Sequence, residues 1–198
     1  MALEDEPLIR RCLQGDTDAY GALVRKYQGA AYAAAFYYAG RYGAAEDIVQ
    51  DAFLAAYRDL AKLKDHSRFG PWLREITCRT AANWLRKHAE RIQHETPLPH
   101  RRQVSLQEYR TSPEATMERA ERLDQIQAAI DSLQERYRLP IILRYLQELS
   151  YEEIGAFIGI PVDEVRGLLH RATAQLKKIL DAGDASAEGT VTWPTVRK

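Results

Sequence analysis

Apolar residues recur at three- and four-residue intervals along almost the whole chain, and the strict alternation of a half-buried strand is found almost nowhere. That pattern restricts the fold class to all-α. Proline then divides the chain. It is sparse before Pro97 and clusters at Pro97, Pro99 and Pro113 within the polar run QHETPLPHRRQVSLQEYRTSPEAT, which has the composition of a linker. The reading is therefore two helical domains joined by a flexible linker: residues 1–92, a linker at 93–117, and a second domain at 118–182. A mobile tail follows at 183–198, mixing small and β-branched residues with a proline, although Trp193 could dock. No internal repeat is visible. With 198 residues, each domain can bury a core.

In the first domain the spacing predicts helices over about Pro7–Gln14, Thr17–Tyr38, Ala44–Leu63 and Pro71–Arg91. The last of these opens on Gly70-Pro71, and proline suits the first helical turn because its missing N–H has no partner there anyway. In the second domain helices are expected over about Glu118–Ser132, Glu135–Tyr145, Tyr151–Ile158 and Val162–Ala182.

Composition excludes several function classes. Basic and acidic residues number 28 each, so no global field recruits nucleic acid, and any DNA affinity must come from local sorting of charge. Cys12 and Cys78 are too few and too distant for a metal cluster or a disulfide framework, which fits a reduced compartment. The start MALEDEPLIRR is acidic and lacks the apolar run of a signal peptide. No stretch approaches the roughly 18 apolar residues of a membrane span, so membrane insertion is not expected. A soluble, cytoplasmic protein is the expectation. Enzyme chemistry has little to stand on. His66, His88, His94, His100 and His170 show no metal-ligand spacing, and no phosphate-binding glycine loop or nucleophile motif is present. No cofactor and no metal are expected.

The clearest motif lies in the second domain. Ser150-Tyr151-Glu152-Glu153 reads as a capping box, followed by a short helix carrying Ile154, Phe157 and Ile158 and by the turn Gly159-Ile160-Pro161. The next helix has its apolar stripe at Val165, Leu169, Ala172, Leu176 and Ile179. Two helices joined by a short glycine turn form a helix-turn-helix. Arg166, Gly167, His170 and Arg171 fall away from the stripe, where a recognition helix meets the major groove. The same spacing would also serve a helical hairpin with a solvated basic face.

The first domain offers two further faces. The helix AAEDIVQDAFLAAYRDLAKL buries Ile48, Val49, Ala52, Phe53, Ala56, Leu60 and Leu63 and presents Asp47, Gln50, Asp51, Leu54 and Arg58 on its other side. An exposed leucine ringed by acidic and amide groups suits a protein-binding patch, though lone exposed leucines are also ordinary. The helix PWLREITCRTAANWLRKHAER buries Leu73, Ile76, Thr77, Thr80 and Trp84, and its five basic residues face only two acidic ones. Trp72, Arg79, Asn83 and Arg86 share another face, a set that can bind phosphate, read a base edge and stack on a base. A core tryptophan beside solvated arginines would look similar.

AAEDIVQDAFLAAYRDL followed by FGPWLREITCRTAANWLRKH resembles conserved region 2 of the extracytoplasmic-function sigma factors of bacterial RNA polymerase, in the sigma-70 family. AIDSLQERYRLPIILRYLQELSYEEIGAFIGIPVDEVRGLLHRATAQLKKIL resembles conserved region 4 of the same family. The two matches cover most of the chain outside linker and tail, in the family's order. The resemblance implies a promoter-reading subunit rather than an enzyme, with core RNA polymerase (its β′ clamp helices and β flap), promoter DNA and an anti-sigma factor as partners. It assigns polymerase binding to Asp47, Gln50, Asp51, Leu54 and Arg58. It assigns −10 DNA binding and capture of an unstacked base to Phe69, Trp72, Arg79, Asn83 and Arg86 with the loop from Asp65, and −35 binding to Arg166, Gly167, His170 and Arg171. Asn83 matches a position often occupied by Asp or Asn. Arg79 departs from a frequent Asn, which implies an unusual −10 preference. Leu168 replaces a frequent basic residue, and Asp163-Glu164 replace small or neutral ones, which implies weakened −35 binding. Two other classes stay open: a stand-alone helix-turn-helix regulator, and a sigma-like adaptor that binds an anti-sigma protein without reading DNA.

Overall fold

In a computed structural model, residues 4–39, 44–89 and 128–184 are described, with side chains to residue 180. The expected linker, the start of the helix placed at Glu118 and the tail from residue 185 with Trp193 lie outside these residues, and the last helix runs two residues into the expected tail, to Asp184. All regular structure among the described residues is helical: α1 Asp5–Leu13, α2 Thr17–Ala39, α3 Ala45–Asp59, α4 Phe69–Lys87, α5 Glu135–Tyr145, α6 Tyr151–Ile158 and α7 Val162–Asp184. Short 3-10 turns at Leu60–Lys62 and His66–Arg68 join α3 to α4, and residues 128–132 are helical ahead of α5.

The boundaries follow from the free N–H groups of a helix start. Pro7 and Pro71 each stand third in their helix rather than first. Both positions lie within the first four residues, whose N–H groups have no intrahelical partner, so proline costs no bond at either. Asp16 caps α2 by accepting from the N–H groups of Asp18 (3.0 Å) and Ala19 (3.1 Å), and its other carboxylate oxygen accepts from Arg11 Nε at 2.9 Å. The turn into that cap passes through Gly15 at φ 95°, a conformation glycine adopts without a Cβ penalty.

α2 is the axis of the assembly. Ala19, Ala30, Ala31, Ala33, Ala34, Ala35 and Ala39 are all buried along it, so its apolar surface runs round the helix instead of forming one stripe. Small side chains let α1, α3, α4 and α5 approach it from several sides. Polar contacts fix the register. Tyr27 Oη donates to Asp5 Oδ2, Lys26 Nζ pairs with Asp5 Oδ1 at 2.6 Å, and Tyr20 Oη donates to the Phe53 carbonyl at 2.6 Å. Burial and the neighbouring Asp5 push the Tyr27 phenol well above its ordinary range.

The two helical sets do not stand apart. α6 packs on α4 and α5 packs on α2, so Tyr27, Phe69 and Leu73 from the first set share one continuous core with Leu143, Ile154 and Phe157 from the second.

Candidate nucleic-acid interface

The helix-turn-helix forms as its capping signals require. Ser150 Oγ accepts from Glu153 N at 3.1 Å, and Glu153 Oε2 accepts from Ser150 N at 2.7 Å, completing the box that opens α6. α6 ends at Gly159, whose φ of 87° lets the chain turn, and the N–H groups of Gly159 and Ile160 both donate to the Gly155 carbonyl. Val165, Leu169, Ala172 and Leu176 are buried, as their spacing predicts. Arg166, His170 and Arg171 are exposed on the far side. The Arg171 guanidinium lies over Gly167, 3.3 Å from where a Cβ there would sit. Arg166 does not point freely outward: its Nη1 donates to Asp163 Oδ1 at 2.8 Å. Leu168, in place of a basic residue, is half-buried and packs against the core.

On α4, Arg79, Asn83 and Arg86 are exposed together, and Arg86 donates to Asn83 Oδ1. Trp72 is half-buried beyond them. A cavity of about 280 Å³ opens between the end of α3 and α4, lined by Asp59, Lys62, Trp72, Glu75, Ile76 and Arg79. The Asp59 carboxyl is held below the usual carboxylate range, chiefly by its hydrogen bond from Lys62. Phe69 is separate from this set. It has no exposed surface, and its ring packs 5.4 Å from Tyr27 and 6.0 Å from Trp72. The loop ahead of it is ordered by Asp65, which accepts from Ser67 N (3.0 Å) and Ser67 Oγ (2.6 Å) and is thereby held acidic. Leu73, Ile76 and Thr77 are buried as expected, whereas Thr80 and Trp84 are half-buried.

α3 presents Asp47, Gln50, Asp51, Leu54 and Arg58 as one exposed face, with Leu54 60% exposed. Beside it runs a predominantly apolar groove of about 600 Å³ between α2 and α3, lined by Tyr20, Val24, Val49, Phe53, Leu54 and Tyr57. Tyr57 is 42% exposed and its ring lies 4.8 Å from that of Tyr20. Sequence reasoning missed Tyr20, Val24 and Tyr57. Tyr57 was within reach, three residues after Leu54 and so on its face. Tyr20 and Val24 reach the groove only through the packing of α2 on α3.

Cys12 and Cys78 are free thiols, and burial pushes both above the ordinary thiol range. Among the described residues no group of three or more His, Cys, Asp and Glu is placed to hold a metal ion, and no helix is long and apolar enough to cross a membrane.

Comparison with known proteins gives consistent matches. The family model for sigma-70 region 2 matches residues 23–91, and that for sigma-70 region 4 matches residues 123–176. The chain is 33% identical over 178 residues to the ECF RNA polymerase sigma-E factor of Escherichia coli (strain K12), covering 86% of this chain and 91% of that protein. It is 29% identical over 176 residues to the ECF RNA polymerase sigma factor SigW of Bacillus subtilis (strain 168), covering 87% and 94%. Among solved structures it is similar to CnrH in its complex with the cytosolic domain of CnrY, with a TM-score of 0.56 and 25% identity over 91% of this chain and 99% of that one.

Proposed function

The chain belongs to the extracytoplasmic-function sigma factors of the sigma-70 family, and from that premise we propose how its surfaces divide the work of initiation. It is not an enzyme: it binds core RNA polymerase and directs initiation at promoters. Asp47, Gln50, Asp51, Leu54 and Arg58, with the groove edge at Tyr57, receive the β′ clamp helices. Arg79, Asn83 and Arg86 bind the −10 element, with the cavity beside Trp72 available to an unstacked base. Arg166, Gly167, His170 and Arg171 meet the −35 element, while the second domain docks on the β flap. The protein works in the cytoplasm beside the polymerase, and an anti-sigma protein controls its access.

The observation that carries this division is the presence of two unlike faces on one small domain. An apolar groove with an acidic and amide rim lies on α3, and a cationic and amide face lies on α4. The first suits a protein partner and the second suits DNA. A stand-alone helix-turn-helix regulator has no use for the groove. The adaptor reading draws on one contact, the Asp163 carboxylate that occupies Arg166.

The test is run-off transcription by core polymerase on the source genome's promoters with and without the protein. Specific transcripts that appear only with it, and vanish in a variant lacking residues 128–198, are expected. Polymerase binding without any specific transcript would move the adaptor reading ahead.

A further inference from the structure

We infer that Asp59 makes the cavity beside Trp72 selective, so that it admits an unstacked base carrying an exocyclic amino group and rejects thymine. The inference rests on the base-capture reading above and names which bases that cavity takes.

The cavity is built on one face of α4. Trp72, Glu75, Ile76 and Arg79 stand at spacings of three and four residues, so their side chains line one side of it. Ile76 is 2% exposed and forms an apolar floor. Trp72 is half-buried, and its ring lies 6.0 Å from that of Phe69, which holds the indole as a surface on which a base can stack. Across from it, the end of α3 and the turn that follows contribute Asp59 and Lys62. The volume of about 280 Å³ falls just below the roughly 300–1,000 Å³ of pockets for drug-sized ligands. That suits one base and not a run of nucleotides.

Asp59 is the fixed polar group of this cavity. It is half-buried, and its Oδ1 accepts from Lys62 Nζ at 2.6 Å, which orients the carboxylate and leaves Oδ2 to a ligand. That bond chiefly holds the carboxyl below its usual range, with the charges of Lys62, Arg58 and Arg79 adding to the effect. The group is therefore an acceptor only. Glu75, by contrast, is exposed. Adenine, cytosine and guanine each offer an amino group to such an acceptor, as in the pairing of Asp or Glu with the cytosine amino group. Thymine offers none, and its one ring N–H lies between two carbonyl oxygens that a carboxylate repels. Lys62 and Arg79 supply only donors, which suit the ring nitrogens and carbonyl oxygens on the rest of an amino-bearing base. An amide at position 59 loses this selection, because it donates as well as accepts and can meet a carbonyl.

The test uses core polymerase with the full chain and a promoter found by the run-off assay, premelted and with its unpaired non-template strand randomised across the −10 element. Bound DNA is recovered and sequenced for wild type, Asp59→Asn and Asp59→Ala. In the wild type, one position should show thymine depleted at least about fivefold against the other three bases, the lower end of what one wrong base costs. Asp59→Asn should bring that depletion to within about twofold and leave the preferences at other positions as they were. Asp59→Ala, which removes the acceptor without adding a donor, should do the same. No position that depletes thymine, or a depletion that persists in both variants, would overturn the inference. So would its loss in Glu75→Gln with both Asp59 variants still selective. Base capture is tested separately by placing an abasic site at each −10 position in turn. Weaker binding at one position, with thymine accepted there as well as the other bases, overturns the selectivity and leaves capture standing. If no abasic site weakens binding, capture itself falls and the inference falls with it.

Discussion

Replacing Leu54 by alanine separates a binding role from a structural one more cleanly than any other change on α3. Leu54 is 60% exposed, so about three-fifths of its surface is available to a partner. Fully burying a leucine contributes about 1.5–3 kcal/mol, and the available share is then about 1–2 kcal/mol. That corresponds to roughly a 5- to 30-fold loss of polymerase affinity in Leu54→Ala. Stability should change by no more than about 0.5 kcal/mol, as for other surface substitutions. The adjacent Phe53 is 7% exposed, and Phe53→Ala should instead cost about 3–5 kcal/mol of stability through the cavity it leaves. Anisotropy titration of labelled protein with core polymerase, alongside thermal unfolding, measures both quantities. Wild-type affinity in Leu54→Ala, or a loss that tracks unfolding, would refute the assignment of this face.

Asn83→Ala and Arg79→Ala should reduce permanganate reactivity of promoter thymines while leaving polymerase affinity within about twofold, because both side chains are exposed on α4 away from the α3 groove; equal losses in both assays would contradict this. Asp163→Asn releases Arg166 from its carboxylate; gel shifts at several salt concentrations should show tighter −35 binding and a salt slope steeper by about one phosphate contact. The hydrogen bond from Arg11, and then that from the Ala19 N–H, hold the Asp16 carboxyl below its usual range. A lowered folded-state value means that its stabilising contribution is present above the ordinary carboxylate range and is lost as pH falls through the folded value. Asn keeps the cap but not the ion pair, so wild type should melt above Asp16→Asn at neutral pH, and the two melting curves should converge in acid. A difference in melting temperature independent of pH would count against the ion pair.

What was legible in the sequence was whatever is written locally. The capping box at Ser150 and Glu153, the glycine at position 159 and the stripe from Val165 to Leu176 each depend on residues within one or two turns. The structure forms all of them. The exposed α3 face was legible for the same reason, since the residues opposite an apolar stripe must face outward unless another element covers them. Boundary errors were small and had a local cause. Pro71 is as well accommodated at the third helical position as at the first, so it does not mark where α4 begins.

What depended on distant segments was not legible. Periodicity on α4 cannot tell whether a residue at its start faces solvent or another helix, and Phe69 proves to be interior, its ring packed against Tyr27 of α2. Leu168 looked like a missing cation on a recognition helix, yet it is half-buried against the core, so a basic residue there would have to displace packing before it met a phosphate. Of these departures, Asp163 engages Arg166 directly, whereas position 168 lies against the core. Gly70 carries the most information and gave the least sign of it. A glycine in a helical first turn reads as mild punctuation, and only the Ala156 carbonyl, 2.4 Å from where its Cβ would sit, shows that the position is set by the second domain. A substitution there tests the relation between domains, where most substitutions in this chain test only one of them.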